Sequence, residues 1–249
     1  MNVVILAAGY AVRLEPLTLT TPKPLLEVGG KRIMDRLMDK ISVLSDVTSV
    51  TVISNAKFFD KFVAWKAGSG YKAKIALVND GSTANDNRLG AIRDLMLATD
   101  SVGAREDLLV IAGDNLFDFE LDSFIKFAKS HDSGVSIALY DIGRTDLAKN
   151  FGVLKIGAGN RVVDFEEKPE HPKSTLVSTG IYYFPKDRIN MLKEYAKTQE
   201  RMDAPGYYIS WLAGNHEVYG CPFKEDWYDI GNIESYKKAD AEYKKKEQD

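Results

Sequence analysis

The stretch from Leu6 to Lys31, LAAGYAVRLEPLTLTTPKPLLEVGGK, decides how the chain is read. It opens in the apolar run Val3–Ala8 (VVILAA), stops at Gly9, and crosses a long turn holding Arg13, Lys23 and the prolines Pro16, Pro22 and Pro24. An amphipathic pattern then begins at Lys31. A continuous apolar run, rather than an alternating one, predicts a strand covered on both faces. The pattern Lys31–Leu44 places Ile33, Leu37, Ile41 and Leu44 on one helical stripe. Strand, turn and helix in that order form the first unit of an α/β fold.

The same alternation continues outward. Strands are expected at Val50–Ser54, Lys74–Val78, Asp107–Asn115 and Gly134–Tyr140, and helices at Phe59–Ala67, Arg88–Ala98 and Asp122–Ser130. Strand–helix alternation with short links implies right-handed crossovers and a Rossmann-like, mainly parallel mixed sheet flanked by helices. After residue 150 the pattern changes. Phe151–Pro169 reads as a hairpin around GAGN, a turn rich in residues that tolerate positive φ. Val177–Phe184 is a further strand, with helices at about Asp187–Lys197 and Tyr207–Gly214. The tail, IESYKKADAEYKKKEQD, is a charged amphipathic helix whose lysines read as a solvated face, since acids are interleaved. Residues 1–249 are expected to form a single domain. Residues 1–150 make the core, and 151–249 a small α+β lobe with a C-terminal helix.

Composition narrows the function. The chain has 249 residues, 45% hydrophobic and 28% charged, with a formal net charge of −3. That balance belongs to a globular protein with core-forming material and no basic footprint for nucleic acid. The single cysteine, Cys221, allows no intrachain disulfide and reads as a packed residue in a reducing compartment. His131, His171 and His216 are scattered and lack a cysteine partner, so zinc is not expected. Val3–Ala8 is too short to span a bilayer and has no basic segment before it, which predicts a cytoplasmic protein without a membrane partner.

In parallel sheets, ligands sit at the carboxyl ends of the strands. That rule puts the turn after Val3–Ala8 and the turn after Leu108–Ala112 on one rim if their strands are neighbours. The first turn suits an anion. Gly9 lets backbone N–H groups face it, Arg13 offers a planar fork, Lys23 a mobile charge, and the prolines stiffen the path. A P-loop is excluded because Gly30-Lys31 is followed by Arg32. The dinucleotide fingerprint fails because Gly9 is followed by Tyr10 and Ala11.

The opening stretch, with GDN (Gly113–Asn115), FGVLK (Phe151–Lys155), FEEKP (Phe165–Pro169), STGIYYF (Ser178–Phe184) and WYDIG (Trp227–Gly231), resembles the sugar-1-phosphate nucleotidyltransferases. The motif wording is nearest the glucose-1-phosphate thymidylyltransferase branch. The resemblance implies nucleotidyl transfer from a nucleoside triphosphate, of the pyrimidine kind, to a sugar 1-phosphate with release of pyrophosphate. It implies Asp114 and Asp229 as ligands of Mg²⁺, and Arg13 and Lys23 as the groups that grip the triphosphate. It places Leu6, Ala8 and Gly9 against the nucleotide. Lys168 is expected at the sugar phosphate, Glu167 at the sugar hydroxyls, and Asn115, Gly152 and Thr179 along the sugar pocket.

The chain departs from that family in two places. The usual G-x-G-[TS]-R loop is Gly9-Tyr10-Ala11-Val12-Arg13 here, losing a glycine and a hydroxyl. The base-reading segment Q-x-x-x-x-G-[LT]-A becomes NDGSTANDNRLGAI (Asn79–Ile92). Asn79 stands for the glutamine and Arg88 falls where the glycine would be, so thymidine, uridine and cytidine triphosphates all stay open. The expected assembly is a monomer or small homo-oligomer. Two other readings stand beside this one: a cytidylyltransferase acting on a non-sugar phosphate such as phosphocholine, and a non-catalytic nucleotide-sugar-binding protein.

Overall fold

The computed structural model describes residues 1–71, 73–103, 105–131 and 134–247. The last two residues of the tail helix expected from the sequence, Gln248 and Asp249, lie outside the described residues. The first half runs β1 (Asn2–Leu6), β2 (Glu27–Val28), β3 (Lys31–Arg32), α1 (Ile33–Ser42), β4 (Ser49–Ser54), α2 (Phe59–Gly68), β5 (Ile75–Asn79), α3 (Ala91–Val102), β6 (Leu108–Ala112), β7 (Leu116–Phe117), α4 (Leu121–Lys129), β8 (Val135–Asp141) and α5 (Thr145–Ala148). The second half runs β9 (Gly152–Ile156), β10 (Val162–Glu167), β11 (Leu176–Phe184), α6 (Met191–Thr198), α7 (Pro205–Asn215), β12 (Val218–Phe223), β13 (Trp227–Tyr228) and α8 (Ile233–Lys246).

The central sheet is mixed, in the order β10-β9-β11-β6-β1-β4-β5, with β8 beside β11 and β12 beside β8. Its first-half strands β6, β1, β4 and β5 are all parallel. The antiparallel pairings all involve β9, β10 or β11: β9 and β10 form a hairpin, and β11 runs antiparallel to β6, β8 and β9. β1 is buried on both faces, as its unbroken apolar run predicts. Val3 and Ile5 pack with Leu37, Phe62 and Phe124, while Val4 packs with Ile92, Leu95 and Tyr208 on the other side.

The expected elements recur with shifted ends. α3 begins at Ala91 rather than Arg88, because Gly90 takes a φ of 91° that ends the extended approach. It continues to Val102, where Gly103 at φ 73° stops it. The hairpin turn holds Gly159 at φ 65° and Asn160 at φ 61°, the two residue types that tolerate it. Cys221 is buried, and burial pushes its thiol up to about 12.

The tail lysines Lys237, Lys238, Lys244, Lys245 and Lys246 are exposed, as expected, while the other face of the helix is packed. α8 folds back over β2 and β3, where Asp240 accepts from the Gly29 N–H at 2.8 Å and Arg36 lies 4.4 Å from the centre of the Tyr243 ring. Lys246 donates to Asp226 and to the Tyr228 hydroxyl, each at 2.9 Å, and also to Asp118. Leu14 and Ile230 join the apolar cluster under this helix, so the last helix clamps the opening loop against the WYDIG segment.

Candidate active site

β1 and β6 are adjacent and parallel, with Leu6 opposite Ala112. The two turns singled out in the sequence therefore share one rim. Gly113 donates to the Leu6 carbonyl at 2.8 Å, and a Cβ there would stand 2.9 Å from that oxygen, so only glycine allows this approach.

The first turn is held from three sides. The Asn55 amide donates to Ala8 O at 2.9 Å, the Tyr10 hydroxyl meets Ser82 Oγ at 3.2 Å, and Thr18 Oγ1 donates to Ala11 O at 2.9 Å. The left-handed position is not Gly9 but Ala11, at φ 48°. Ala11 stands where the family's loop has its second glycine, and Gly9 leaves open space facing the cleft. A side chain in that region costs roughly 1–2 kcal/mol, and the surrounding hydrogen bonds hold it there.

A cleft of about 330 Å³ runs along this rim, lined by Leu6, Ala8, Gly9, Arg13, Lys23 and Asp114, and farther along by Arg88, Gly90, Asp94 and Asp203. A second cleft of about 800 Å³ is lined by Tyr140, Lys149, Phe151, Lys168, Trp227, Asp229 and Lys238. Arg13 and Gly231 line both, so the clefts meet at Arg13.

At that junction the charges are arranged tightly. Lys23 Nζ lies 2.8 Å from Asp114 Oδ2, with the lysine side chain only 9% exposed. Burial alone would raise the Asp114 carboxyl; the Lys23 charge and hydrogen bond, with Arg13, hold it below its ordinary value. Asp229 keeps an exposed surface; desolvation by the protein atoms crowding its carboxyl, then the like charge of Asp114, raise it against the pull of Lys23, Arg13 and Lys168. A Cβ on Gly231 would stand 2.9 Å from Asp229 Oδ2 and 4.0 Å from an Arg13 nitrogen. Among the described residues Arg13 has no carboxylate within ion-pair distance, leaving its fork for phosphate. Two carboxylates repelling across a lysine form a hard-oxygen set suited to a divalent cation. No third acid, histidine or cysteine joins them among the described residues, so phosphate oxygens and water would complete the shell.

The remaining residues expected at the site sit in different surroundings. Lys168 lines the second cleft at φ 48°, pinned by its N–H to Phe151 O at 3.0 Å. The Glu167 carboxyl stands between two glycines. A Cβ on Gly206 would lie 1.7 Å from its Oε2, and one on Gly152 3.0 Å from the same atom. Burial raises it, and Asp203 adds to this, against Lys168.

Asn115 and Thr179 are buried framework. The Asn115 amide donates to Thr179 O and accepts from Trp227 Nε1, both at 2.7 Å, while the Thr179 hydroxyl donates to Ala138 O at 2.9 Å. Asn115 thus positions Trp227, whose ring lies 5.8 Å from Tyr140 and 5.3 Å from Phe151 in the second cleft. Asn79 does not line the first cleft; its side chain accepts from the Gly81 N–H at 2.9 Å. Arg88 does line it, tied to Asn85 O at 3.2 Å and to Asn85 Oδ1 at 3.1 Å.

Sequence reasoning missed Trp227, Asp94 and Asp203. Trp227 lies inside a quoted motif. Asp94 reads from sequence as an ordinary acid within the helix expected at Arg88–Ala98, and nothing local marks its burial.

The fold gathers cationic and acidic side chains at the carboxyl rim of a mixed sheet. The chain belongs to the nucleotidyl transferase family, whose model matches residues 2–246. Among solved structures it is similar to a protein of Bacillus anthracis assigned as a glucose-1-phosphate thymidylyltransferase and solved with sucrose. The TM-score is 0.83 at 24% identity, over 98% of this chain and 95% of that one. Among the described residues no helix is long and apolar enough to cross a membrane.

Proposed function

We propose that the chain transfers the nucleotidyl group of a pyrimidine nucleoside triphosphate to a sugar 1-phosphate, releasing pyrophosphate. The observation that carries this reading is the ion pair of the buried Lys23 with Asp114, Asp229 beside it, at the meeting point of two clefts. The first cleft takes the triphosphate and the second the acceptor.

A phosphomonoester has a second pKa of about 6, so the attacking oxygen is ionised near neutral pH without a general base. The protein's task is to bring two anions into line and to stabilise charge on the group in transit. Arg13, lining both clefts, is placed to do so, and Lys23 can leave Asp114 for a phosphate oxygen. Asp114 and Asp229 would hold Mg²⁺, which when bound offsets phosphate charge as a Lewis acid. Lys168 meets the acceptor phosphate, and Trp227 offers an apolar platform for a sugar ring.

The second cleft carries Arg13, Lys149, Lys168 and Lys238 against the acid Asp229, a cationic excess suited to an anionic acceptor. Pyrophosphate release with a panel of triphosphates and acceptors tests the reading. Turnover with sugar 1-phosphates and none with phosphocholine is expected. Asp114→Asn and Asp229→Asn should each remove at least about a thousandfold of the rate while melting cooperatively. Near-normal rates in both would end the metal assignment.

A further inference from the structure

Lys23 is bound to a carboxylate that the proposed transfer needs for another purpose. Its Nζ donates to Asp114 Oδ2 at 2.8 Å, and Asp114 is one of the two acids that would hold Mg²⁺. The lysine side chain is 9% exposed and that of Asp114 45%, so the ammonium is the enclosed member of the pair and the carboxylate the open one. Among the described residues Nζ has no second hydrogen-bond partner, and it lines the first cleft with its remaining donors unfilled. An ammonium withdrawn from water needs a counter-charge within reach. Lys23 also serves Asp229: set against desolvation, it is the largest charge lowering either carboxyl. One cation thus offsets both acids.

The backbone does not carry this cation away. Lys23–Leu25 form one short helical turn behind Pro22, closed by Leu25 N–H to Pro22 O at 2.9 Å and Leu26 N–H to Lys23 O at 3.0 Å. Pro22 and Pro24 fix φ on either side of the lysine. Rotation of the side chain is what moves the ammonium, and a divalent ion set on Asp114 would leave it close by, unpaired and facing a like charge. A phosphate chain in the first cleft reverses that balance. Its oxygens offer the ammonium a new partner, and they add hard ligands to the Asp114 oxygen so released. Among the described residues no third acid, histidine or cysteine supplies such ligands in its place.

We propose that Lys23 holds the place of the divalent cation on Asp114, so that Asp114 and Asp229 accept a metal only once a polyphosphate has drawn the ammonium away. The proposal rests on the metal assignment within the nucleotidyl-transfer reading and adds a coupling to it: polyphosphate and metal each raise the affinity of the site for the other.

Mn²⁺ binding, read by electron paramagnetic resonance of the free ion, tests it without turnover. With no phosphate present, Lys23→Met should bind Mn²⁺ at least about tenfold more tightly than wild type. Arg13→Met removes an equal charge from the same junction but releases no carboxylate oxygen, and its gain should be severalfold smaller. Inorganic triphosphate added to wild type should create protein-bound Mn²⁺, seen as water-proton relaxation enhanced beyond that of the Mn²⁺–triphosphate complex alone. If Lys23→Met fails to melt cooperatively, Lys23→Gln and the triphosphate arm on wild type decide. Equal Mn²⁺ affinity in wild type and Lys23→Met, lost from both on Asp114→Asn, would keep the metal site and overturn the coupling. A gain of the same size in Arg13→Met would overturn it too, as would wild-type relaxation that triphosphate leaves unenhanced. Mn²⁺ binding to Lys23→Met that is indifferent to both Asp114→Asn and Asp229→Asn would sink the metal assignment itself, and this proposal with it.

Discussion

The Asp80–Asp94 pair makes stability depend on pH in a way that a single substitution should remove. The ordinary value for the Asp94 carboxyl is 3.8, and burial followed by the Asp80 charge raises it to about 7. Between those values the folded chain holds a proton that the unfolded chain has lost. The stabilisation is therefore fully present in acid and disappears as pH rises through about 7. At about 1.4 kcal/mol per unit, the whole span is worth about 4 kcal/mol, of which about 3 kcal/mol falls between pH 5 and pH 8. Asp94→Asn carries no titrating proton and keeps a donor toward Asp80. Its stability relative to wild type should rise by about 3 kcal/mol over that interval, or roughly 6–12 °C in Tm for a chain of this size. The assay is paired thermal melts of the two proteins in matched buffers from pH 5 to pH 8. The difference removes other titrating groups common to both. Melting temperatures that run parallel across the range would refute the shared proton and the burial that imposes it.

Other perturbations test the remaining geometry. Ala11→Gly should relieve the left-handed strain and raise stability by up to about 1 kcal/mol, less than the full strain because glycine gains freedom in the unfolded chain; a fall in Tm of several degrees would contradict this. Gly206→Ala should displace the Glu167 carboxylate, raising the acceptor KM at least about tenfold while leaving triphosphate affinity unchanged, and an unchanged acceptor KM would place Glu167 outside the acceptor site. Gly90→Ala drives a Cβ into the Met202–Asp203 backbone and should destabilise by about 2 kcal/mol or more, read by urea unfolding; a neutral effect would mean the two halves are not latched there. Asn115→Ala frees the Trp227 indole N–H and should lower acceptor affinity with little change in triphosphate binding, which a shift confined to the triphosphate would disprove.

Much of the first half was legible because its information is local. Val3–Ala8 is apolar at every position, so a strand buried on both faces follows from composition alone. The stripe Ile33, Leu37, Ile41 marks α1 by its spacing, and GAGN marks the hairpin by its tolerance of positive φ. Arg13, Lys23, Asp114 and Asp229 stood out through motif wording, and the structure brings them to one junction. What stayed hidden depends on contacts between distant segments. Asn115 and Thr179 also tie distant segments together, Asn115 to Trp227 and to the Thr179 carbonyl and Thr179 to the Ala138 carbonyl. Ala11 takes its left-handed conformation where Thr18, Asn55 and Ser82 hold the turn. No short window contains all of those residues.

By itself the sequence determined the alternation of strands and helices, the rim on which the opening turn falls, and the set of cationic and acidic side chains available for phosphate chemistry. These follow from hydrophobic periodicity and residue type, which act over a few residues. Only the tertiary structure decided that α8 returns to clamp the opening loop, that Lys23 reaches Asp114, that Asp229 feels both, and that Asp94 is cut off from water beside Asp80. Those outcomes come from burial and Coulomb forces between segments distant along the chain, and such forces have no expression until the segments meet.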